Sequence, residues 1–451
     1  MKRYEEYCTF PDVWINELPD HWETHKMKYL FTERSEKGYP NEPLLVASQN
    51  MGVVPKGVYG NRTVEAQKDL HLLKLVRIGD FVISLRSFQG GLEYAYYQGI
   101  ISPAYTVLIP HEPITAGYFR FLAKSKLFIG LLTLCVTGIR EGQNIDYGKL
   151  RDHLLPVPSR AEQDQIVRYL DWQVSKINLL IAAKKQEIAL FEESKVNHIA
   201  NAVLHGIRHH EHCIETTEFG SIPAHWQVIQ NKRLFCERVE HTETGTETLL
   251  SVSKHYGVKP SAELTEDEQF ATIKPALSLI GYKVVRKNDL VMNIMRARNG
   301  SYGISAYDGI VSPAYCIYYT TKECNVKYLH YFLRTPHVKS LFEAYSSGIA
   351  EHRRRLYPED FLRLKSVLPP IEEQNEIVEH IELAIVKYDA GIANLRQQIA
   401  CLQDMKTRLI SDVVTGQVDV RGIEVPQYEI VEDTDTSEDL EEDTEGEEYE
   451  E

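Results

Sequence analysis

The sequence predicts a mixed α/β chain built twice over. Two tandem globular domains of short strands and helices are held apart by two long helices that pair as an antiparallel coiled coil, giving a pseudo-two-fold internal repeat. Three observations predict it. Ordered blocks recur about 210 residues apart, each copy opens with short β-like runs between turn residues, and each closes on a long apolar 3-4 pattern.

The repeat is legible block by block. Pro19-Asp20-His21-Trp22 returns as Pro223-Ala224-His225-Trp226, and Leu44-Leu45-x-x-Ser48-x-x-x-Gly52-Val53-x-Pro55 as Leu249-Leu250-x-x-Ser253-x-x-x-Gly257-Val258-x-Pro260. Arg86-x-x-Gln89-Gly90 matches Arg296-x-x-Asn299-Gly300, and Gly99-Ile100-Ile101-Ser102-Pro103-Ala104-Tyr105 matches Gly309-Ile310-Val311-Ser312-Pro313-Ala314-Tyr315. Thr137-Gly138-Ile139-x-Glu141 becomes Ser347-Gly348-Ile349-x-Glu351, and Glu162-Gln163-x-x-Ile166-Val167 becomes Glu373-Gln374-x-x-Ile377-Val378. Six blocks in one order exclude coincidence, and the period is too long for a solenoid.

Within each copy, runs such as Asp80-Phe81-Val82-Ile83-Ser84 and Asp289-Leu290-Val291-Met292-Asn293 read as strands. Helical patterns follow over 118–129 and 326–345. The Ser-Pro-Ala-Tyr tyrosines, Tyr105 and Tyr315, read as core packing.

The long helices open after proline stops, at Pro156-Val157-Pro158-Ser159 and at Leu368-Pro369-Pro370. Ser159 followed by Glu162 is a capping-box pattern. Apolar positions then step 3-4: Val167, Leu170, Val174, Ile177, Ile181, Lys184, Ile188 and Phe191 in copy one, and Val378 through Leu395 to Val413 in copy two. Lys184 against Leu395 is the one mismatch. Such a seam suits mutual antiparallel pairing, and about 45 residues would span roughly 65 Å. The expected layout is therefore domain 1 over 1–155, helix and linker 156–210, domain 2 over 211–367, helix 368–420, and an acidic disordered tail 421–451.

Composition bounds the function. With 43% apolar and 25% charged residues the chain reads as soluble and globular, and it has no apolar run that would cross a membrane and no signal-peptide core. Seven cysteines without a Cys-x-x-Cys pair suit a reducing cytoplasm. The net charge of −15 is local: residues 424–451 hold 15 acidic and no basic residues, and without them 50 acidic face 50 basic. The blocks 20–155 and 219–367 are mildly basic.

Catalytic motifs are missing. There is no phosphate-binding Gly-x-x-x-x-Gly-Lys-Ser/Thr loop, no Gly-x-Gly-x-x-Gly after a strand, no Asn/Asp-Pro-Pro-Tyr/Phe of amino-methyltransferases, no Gly-x-Ser-x-Gly and no His-Glu-x-x-His. His209-His210-x-His212-Cys213 has ligand-type residues, but the run reads as a solvated linker and no metal or directly bound cofactor is expected. Glu192-Glu193-x-Lys195 lies on the helix pattern and does not make a nuclease site. A duplicated chain without catalytic motifs suits a task needing two similar surfaces, such as two half-sites on duplex DNA.

The tandem layout, the Pro-x-His-Trp entries, the Ser-Pro-Ala-Tyr blocks and the Glu-Gln-x-x-Ile-Val helix entries together resemble the specificity subunit of Type I restriction-modification systems, over about residues 10–420. The resemblance implies two target-recognition domains, each reading half of a bipartite double-stranded DNA target, with the helices setting the unread spacer. It also implies assembly with two methyltransferase subunits and with restriction subunits. S-adenosylmethionine, ATP and Mg would be used by those partners, and this chain would not be an enzyme. The alternative is a self-contained DNA methyltransferase or nuclease with an unrecognised site.

Residues reading two different half-sites should be polar, in equivalent loops, and different in identity. Ser48, Gln49 and Asn50 correspond to Ser253, Lys254 and His255, with Tyr256 next. Gln and Asn pair with adenine, Lys and Arg with guanine. Arg86, Ser87, Phe88 and Gln89 correspond to Arg296, Ala297, Arg298 and Asn299. An arginine in both copies fits phosphate anchoring, and Gly90 and Gly300 would allow close backbone approach. The third set is Arg140, Gln143 and Asn144 against His352, Arg353, Arg354 and Arg355. Replacing the three arginines by alanine is expected to weaken binding to all sequences and flatten its salt dependence.

Overall fold

The computed structural model describes residues 2–49, 51–59, 69–85, 87–137, 144–208, 210, 212–254, 256–264, 278–348 and 354–431. Two compact units form. The first gathers residues up to Gln186 with those from Leu395 to Val431, and the second spans Glu187–Asn394. Among the described residues no helix is long and apolar enough to cross a membrane.

In the first unit β1 (Phe31–Arg34), β2 (Leu45–Ser48), β3 (Gly52–Pro55), β4 (Phe81–Ile83), β5 (Glu93–Tyr94) and β6 (Thr106–Pro110) follow in chain order. An antiparallel sheet runs β1-β6-β4-β5, and β2–β3 is a separate hairpin. Strand alternation divides the core. Phe81 and Ile83 face the large cluster with Phe119 and Phe128, while Val82 faces a smaller one with Val53, Val76 and Ile101.

The second unit repeats the plan. β7 (Phe235–Glu237), β8 (Leu250–Ser253), β9 (Gly257–Pro260), β10 (Leu290–Asn293), β11 (Tyr302–Ile304) and β12 (Tyr315–Thr320) give the sheet β7-β12-β10-β11 and the hairpin β8–β9. Leu290 and Met292 face the large cluster and Val291 the small one. A buried pair, Arg34 Nε to Asp80 Oδ2 at 2.7 Å, recurs as Arg238 Nε to Asp289 Oδ2 at 2.7 Å. The repeated Gly-Ile-Ile/Val blocks are packing motifs. A Cβ on Gly99 would lie 2.3 Å from the Pro43 carbonyl oxygen, and on Gly309 2.3 Å from that of Thr248. Tyr105 and Tyr315 lie half-buried against the small clusters.

The long helices are Arg160–His205 and Ile371–Val414, with 46 and 44 residues. Their pairing is visible inside each unit and it is antiparallel. In the first, Ile177 and Ile181 share a core with Ile399, Leu402 and Leu409, and Lys406 Nζ donates to Asn178 Oδ1 at 3.3 Å. In the second, Lys195 Nζ donates to Asp389 Oδ1 at 2.6 Å. There the Phe191 ring fills the place a Cβ on Gly391 would take, at 2.8 Å.

Each globular part is clamped between the start of one helix and the end of the other. In the first unit Glu162 accepts from Tyr4 Oη (2.6 Å) and Trp22 Nε1 (3.0 Å) and pairs with His21 Nε2 (3.0 Å). Tyr118 Oη donates to the Val414 carbonyl at 2.8 Å. In the second, Glu373 accepts from Trp226 Nε1 (3.1 Å) and pairs with His225 Nε2 (2.8 Å), while Tyr328 Oη donates to the Val203 carbonyl at 3.0 Å. The repeated His-Trp and Glu-Gln blocks are thus two halves of one joint. The Ser159 hydroxyl caps the Glu162 amide at 3.4 Å, but the Glu162 carboxylate serves the joint instead of returning to the cap.

The stretch 421–431 corrects the expected start of a disordered tail. It lies along the first helix: Gln165 Nε2 donates to the Val420 and Ile423 carbonyls, Asn178 Nδ2 donates to that of Val431 at 2.9 Å, and Val431 N donates to Ser175 Oγ. Four hydrogen bonds between three polar side chains and this backbone explain why an acidic, proline-containing stretch is held. The rest of the expected tail, 432–451, lies outside the described residues.

Candidate nucleic-acid interface

The first predicted loop lies where the chain passes from β2 to β3. Ser48 pairs with Gly52, which sits at φ +74 and closes the turn as only glycine does readily. Ser48 is buried and its hydroxyl accepts from Met51 N at 3.3 Å, so it shapes the turn, while Gln49 is exposed. The turn between β8 and β9 is equivalent, with Gly257 at φ +75, Ser253 half-buried and Lys254 exposed. There the Tyr256 hydroxyl bonds Ser251 Oγ at 2.8 Å and the Lys259 ammonium lies over the Tyr256 ring. Asn50 and His255 lie outside the described residues.

The second loop packs against the first. A Cβ on Gly90 would lie 2.8 Å from Gln49 Cδ, and on Gly300 3.8 Å from Lys254 Cβ. The glycine expected to let a partner backbone approach instead makes room for the neighbouring turn. Gln89 and Asn299 are exposed, and Arg296 and Arg298 half-exposed. Ser87 corrects the prediction: it is fully buried, its Oγ accepts from Ser84 N at 2.8 Å, and it cannot reach a ligand. Arg86 lies outside the described residues.

The third loop joins both. Asn144 is exposed on a two-residue strand (Asn144–Ile145) that touches the Ser87–Gly90 turn. In copy two, Leu356 N donates to the Ile294 carbonyl at 3.0 Å, tying the arginine stretch to the second loop. Arg355 is exposed. Arg354, predicted to contact DNA, has its guanidinium turned to the protein, donating to the Ser346 and Glu343 carbonyls at 3.2 Å, at the end of the Pro336–Ala344 helix. Arg140, Gln143, His352 and Arg353 lie outside the described residues.

One cation per unit fastens these loops, and sequence reasoning missed both. Lys124 Nζ donates to the Gln49 carbonyl (3.0 Å), the Gly90 carbonyl (2.9 Å) and Glu93 Oε2 (2.7 Å). Arg334 occupies the matching place and donates to the Lys254 and Tyr302 carbonyls. Each is followed by a hydroxyl N-cap, Ser125 or Thr335. Carrying the repeat alignment through the helical stretch would have paired them.

Burial pushes the Glu93 carboxyl up to about 7, against the opposing pull of the Lys124 ammonium. In copy two, among the described residues, the cation is bonded to backbone carbonyls and to no carboxylate. Burial lowers the Arg334 pKa from its ordinary value, and His330, half-buried beside it, is pushed down to about 4 first by desolvation and then by the Arg334 charge. Each unit therefore presents a rigid, doubly fastened set of turns whose exposed side chains differ: Gln49, Gln89 and Asn144 in one, Lys254, Asn299 and Arg355 in the other.

No protein-family profile matches the chain, and no curated protein matches it. Solved structures do. A chain from a structure concerned with complex assembly and conformational transition of the type I R-M system has a TM-score of 0.61 at 13% identity, covering 89% of this chain and 99% of that one. The HsdS subunit from Thermoanaerobacter tengcongensis (TM-score 0.46, 14% identity, 89% and 98% covered) and the Type I restriction-modification S subunit from M. genitalium (TM-score 0.32, 12% identity, 87% and 96% covered) superpose more loosely. The shared fold rests on the first, and it agrees with the resemblance read from the repeated blocks.

Proposed function

We propose that this chain is the specificity subunit of a Type I restriction-modification system, a non-catalytic protein that reads a bipartite DNA target and scaffolds methyltransferase and restriction subunits. The observation that carries the reading is the duplicated turn constellation on a fold shared with a type I R-M chain. One scaffold is used twice with different exposed side chains, which is what two unlike half-sites require. Gln49, Gln89 and Asn144 suit adenine-bearing edges, and Lys254, Arg298 and Arg355 suit guanine or phosphate. The long helices would set the length of the unread spacer. S-adenosylmethionine, ATP and Mg would act on the partner subunits.

Co-expression with the methyltransferase subunits of the same system, followed by mapping of methylated bases, tests this. A split motif with an unread middle is expected. An uninterrupted target, or methyl transfer by this chain without partners, overturns it.

A further inference from the structure

The two units differ at the joint where the His-Trp motif meets the long helix. In the first, three donors surround Glu162: Tyr4 Oη at 2.6 Å, Trp22 Nε1 at 3.0 Å and His21 Nε2 at 3.0 Å. In the second, Trp226 and His225 keep their places on Glu373, but the tyrosine is replaced by His210 from the stretch after the first helix. Its ring lies 5.2 Å from that of His225, as Tyr4 lies 5.4 Å from His21. The exchange trades a satisfied hydroxyl for an orphan. His210 Nε2 is buried without a hydrogen-bond partner, 3.5 Å from Glu373 Oε1. A buried polar nitrogen left unpaired is costly, so something should complete it.

We propose that the second unit binds one divalent ion of the zinc class through His210, His225 and Glu373; at the equivalent joint of the first unit Tyr4 stands where His210 does. The three ligand atoms lie within 4.8 Å of one another. Two histidines and a carboxylate are a set zinc accepts, with a fourth position left for water. Tetrahedral bonds of about 2.0–2.1 Å put ligand atoms ~3.3 Å apart. Movement of about 1.5 Å at the widest separation closes the site, within the reach of one histidine rotation. Space for the ion exists because Gly206 has no side chain: a Cβ there would lie 2.8 Å from His210 Nε2 and 3.4 Å from Glu373 Oε1. The Trp226 indole N–H holds the carboxylate in orientation at 3.1 Å. The ion would staple the stretch after the first helix and the domain entry to the first turn of the second helix, about 150 residues further along the chain.

The test uses the untagged full chain, stripped with chelator and titrated with Co²⁺ and then Zn²⁺. The tetrahedral visible spectrum of bound Co²⁺ is expected to saturate at one equivalent, to be displaced by Zn²⁺, and to disappear in His210→Tyr. That variant rebuilds the arrangement of the first unit and keeps the joint hydrogen-bonded, so it should fold as the parent does. A second variant, His225→Asn, is expected to bind at least about tenfold more weakly, since even outer-shell changes cost that much. Absence of a tetrahedral Co²⁺ spectrum in the parent, or an undiminished one in His210→Tyr, overturns the proposal and leaves His210 and Glu373 as a simple ion pair.

Discussion

Glu93 sits at the fastening of the first unit's turns, and its burial makes the stability of that unit depend on pH. The carboxyl is fully buried, with Lys124 as its cationic partner at 2.7 Å. Its pKa in the folded chain is about 7 against an ordinary 4.5. A folded value above the unfolded one means the native state holds its proton longer. The stabilising contribution is whole below pH 4.5 and is lost as pH rises through 7. At 1.36 kcal/mol per pH unit the gap is worth about 3 kcal/mol. Glu93→Gln removes the titration and keeps the shape. In a Trp226→Phe background the remaining tryptophans, Trp14, Trp22 and Trp172, all belong to the first unit. Denaturant unfolding followed by their fluorescence should show the Gln variant gaining about 3 kcal/mol on its parent between pH 4.5 and pH 8. A difference that stays flat, or runs the other way, would refute the assignment of a reluctant, desolvated carboxyl held by Lys124.

His330, pushed down to about 4, has the opposite sign, so second-unit stability should fall as pH drops from 6.5 towards 4, and His330→Gln should flatten that limb of an acid titration. Tyr118→Phe and Tyr328→Phe each leave a buried helix-end carbonyl short of a donor and should cost about 1–3 kcal/mol, read by thermal or denaturant unfolding. Gly391→Ala drives a Cβ into the Phe191 ring and should cost about 1–3 kcal/mol, with Phe191→Leu in the same chain recovering part of the loss. In the assembled complex, Arg355→Ala should weaken DNA binding for every sequence and lower the salt slope by about 0.9, whereas Gln49→Ala should relax discrimination at one position by about 1–3 kcal/mol; filter or fluorescence binding across salt concentrations separates the two.

The sequence revealed what repeats, not what touches. Both halves of the joint were visible as separate motifs, yet nothing in a one-dimensional pattern tells that Glu162 serves Trp22 across 140 residues. The heptads were legible because one stripe of each helix faces its mate. Ile166, Tyr169 and Ile377 escaped that reading because the globular parts bury a second stripe near each helix start. Ser87 and Arg354 looked like contact residues because polarity and loop position do not reveal that a hydroxyl or guanidinium is already spent on nearby backbone. Lys124 and Arg334 stayed hidden for the converse reason: a cation in a helical stretch reads as a solvated face unless its reach to a distant turn is known. The stretch 421–431 reads as unfoldable by composition, and it is held through its backbone carbonyls, which composition does not register.

The chain passes from one unit to the other in the middle of a helix, and it does so twice. A residue's address in the gene therefore does not say which unit its loss will harm. Leu409 and Val413, encoded near the end, are wall timbers of the domain encoded first, and Val203 and Leu204, from the first half, are timbers of the second. Cutting the gene at its midpoint would yield two fragments, each with a missing wall, whereas a deletion confined to the codons after Leu395 would damage the domain encoded first and leave the second whole.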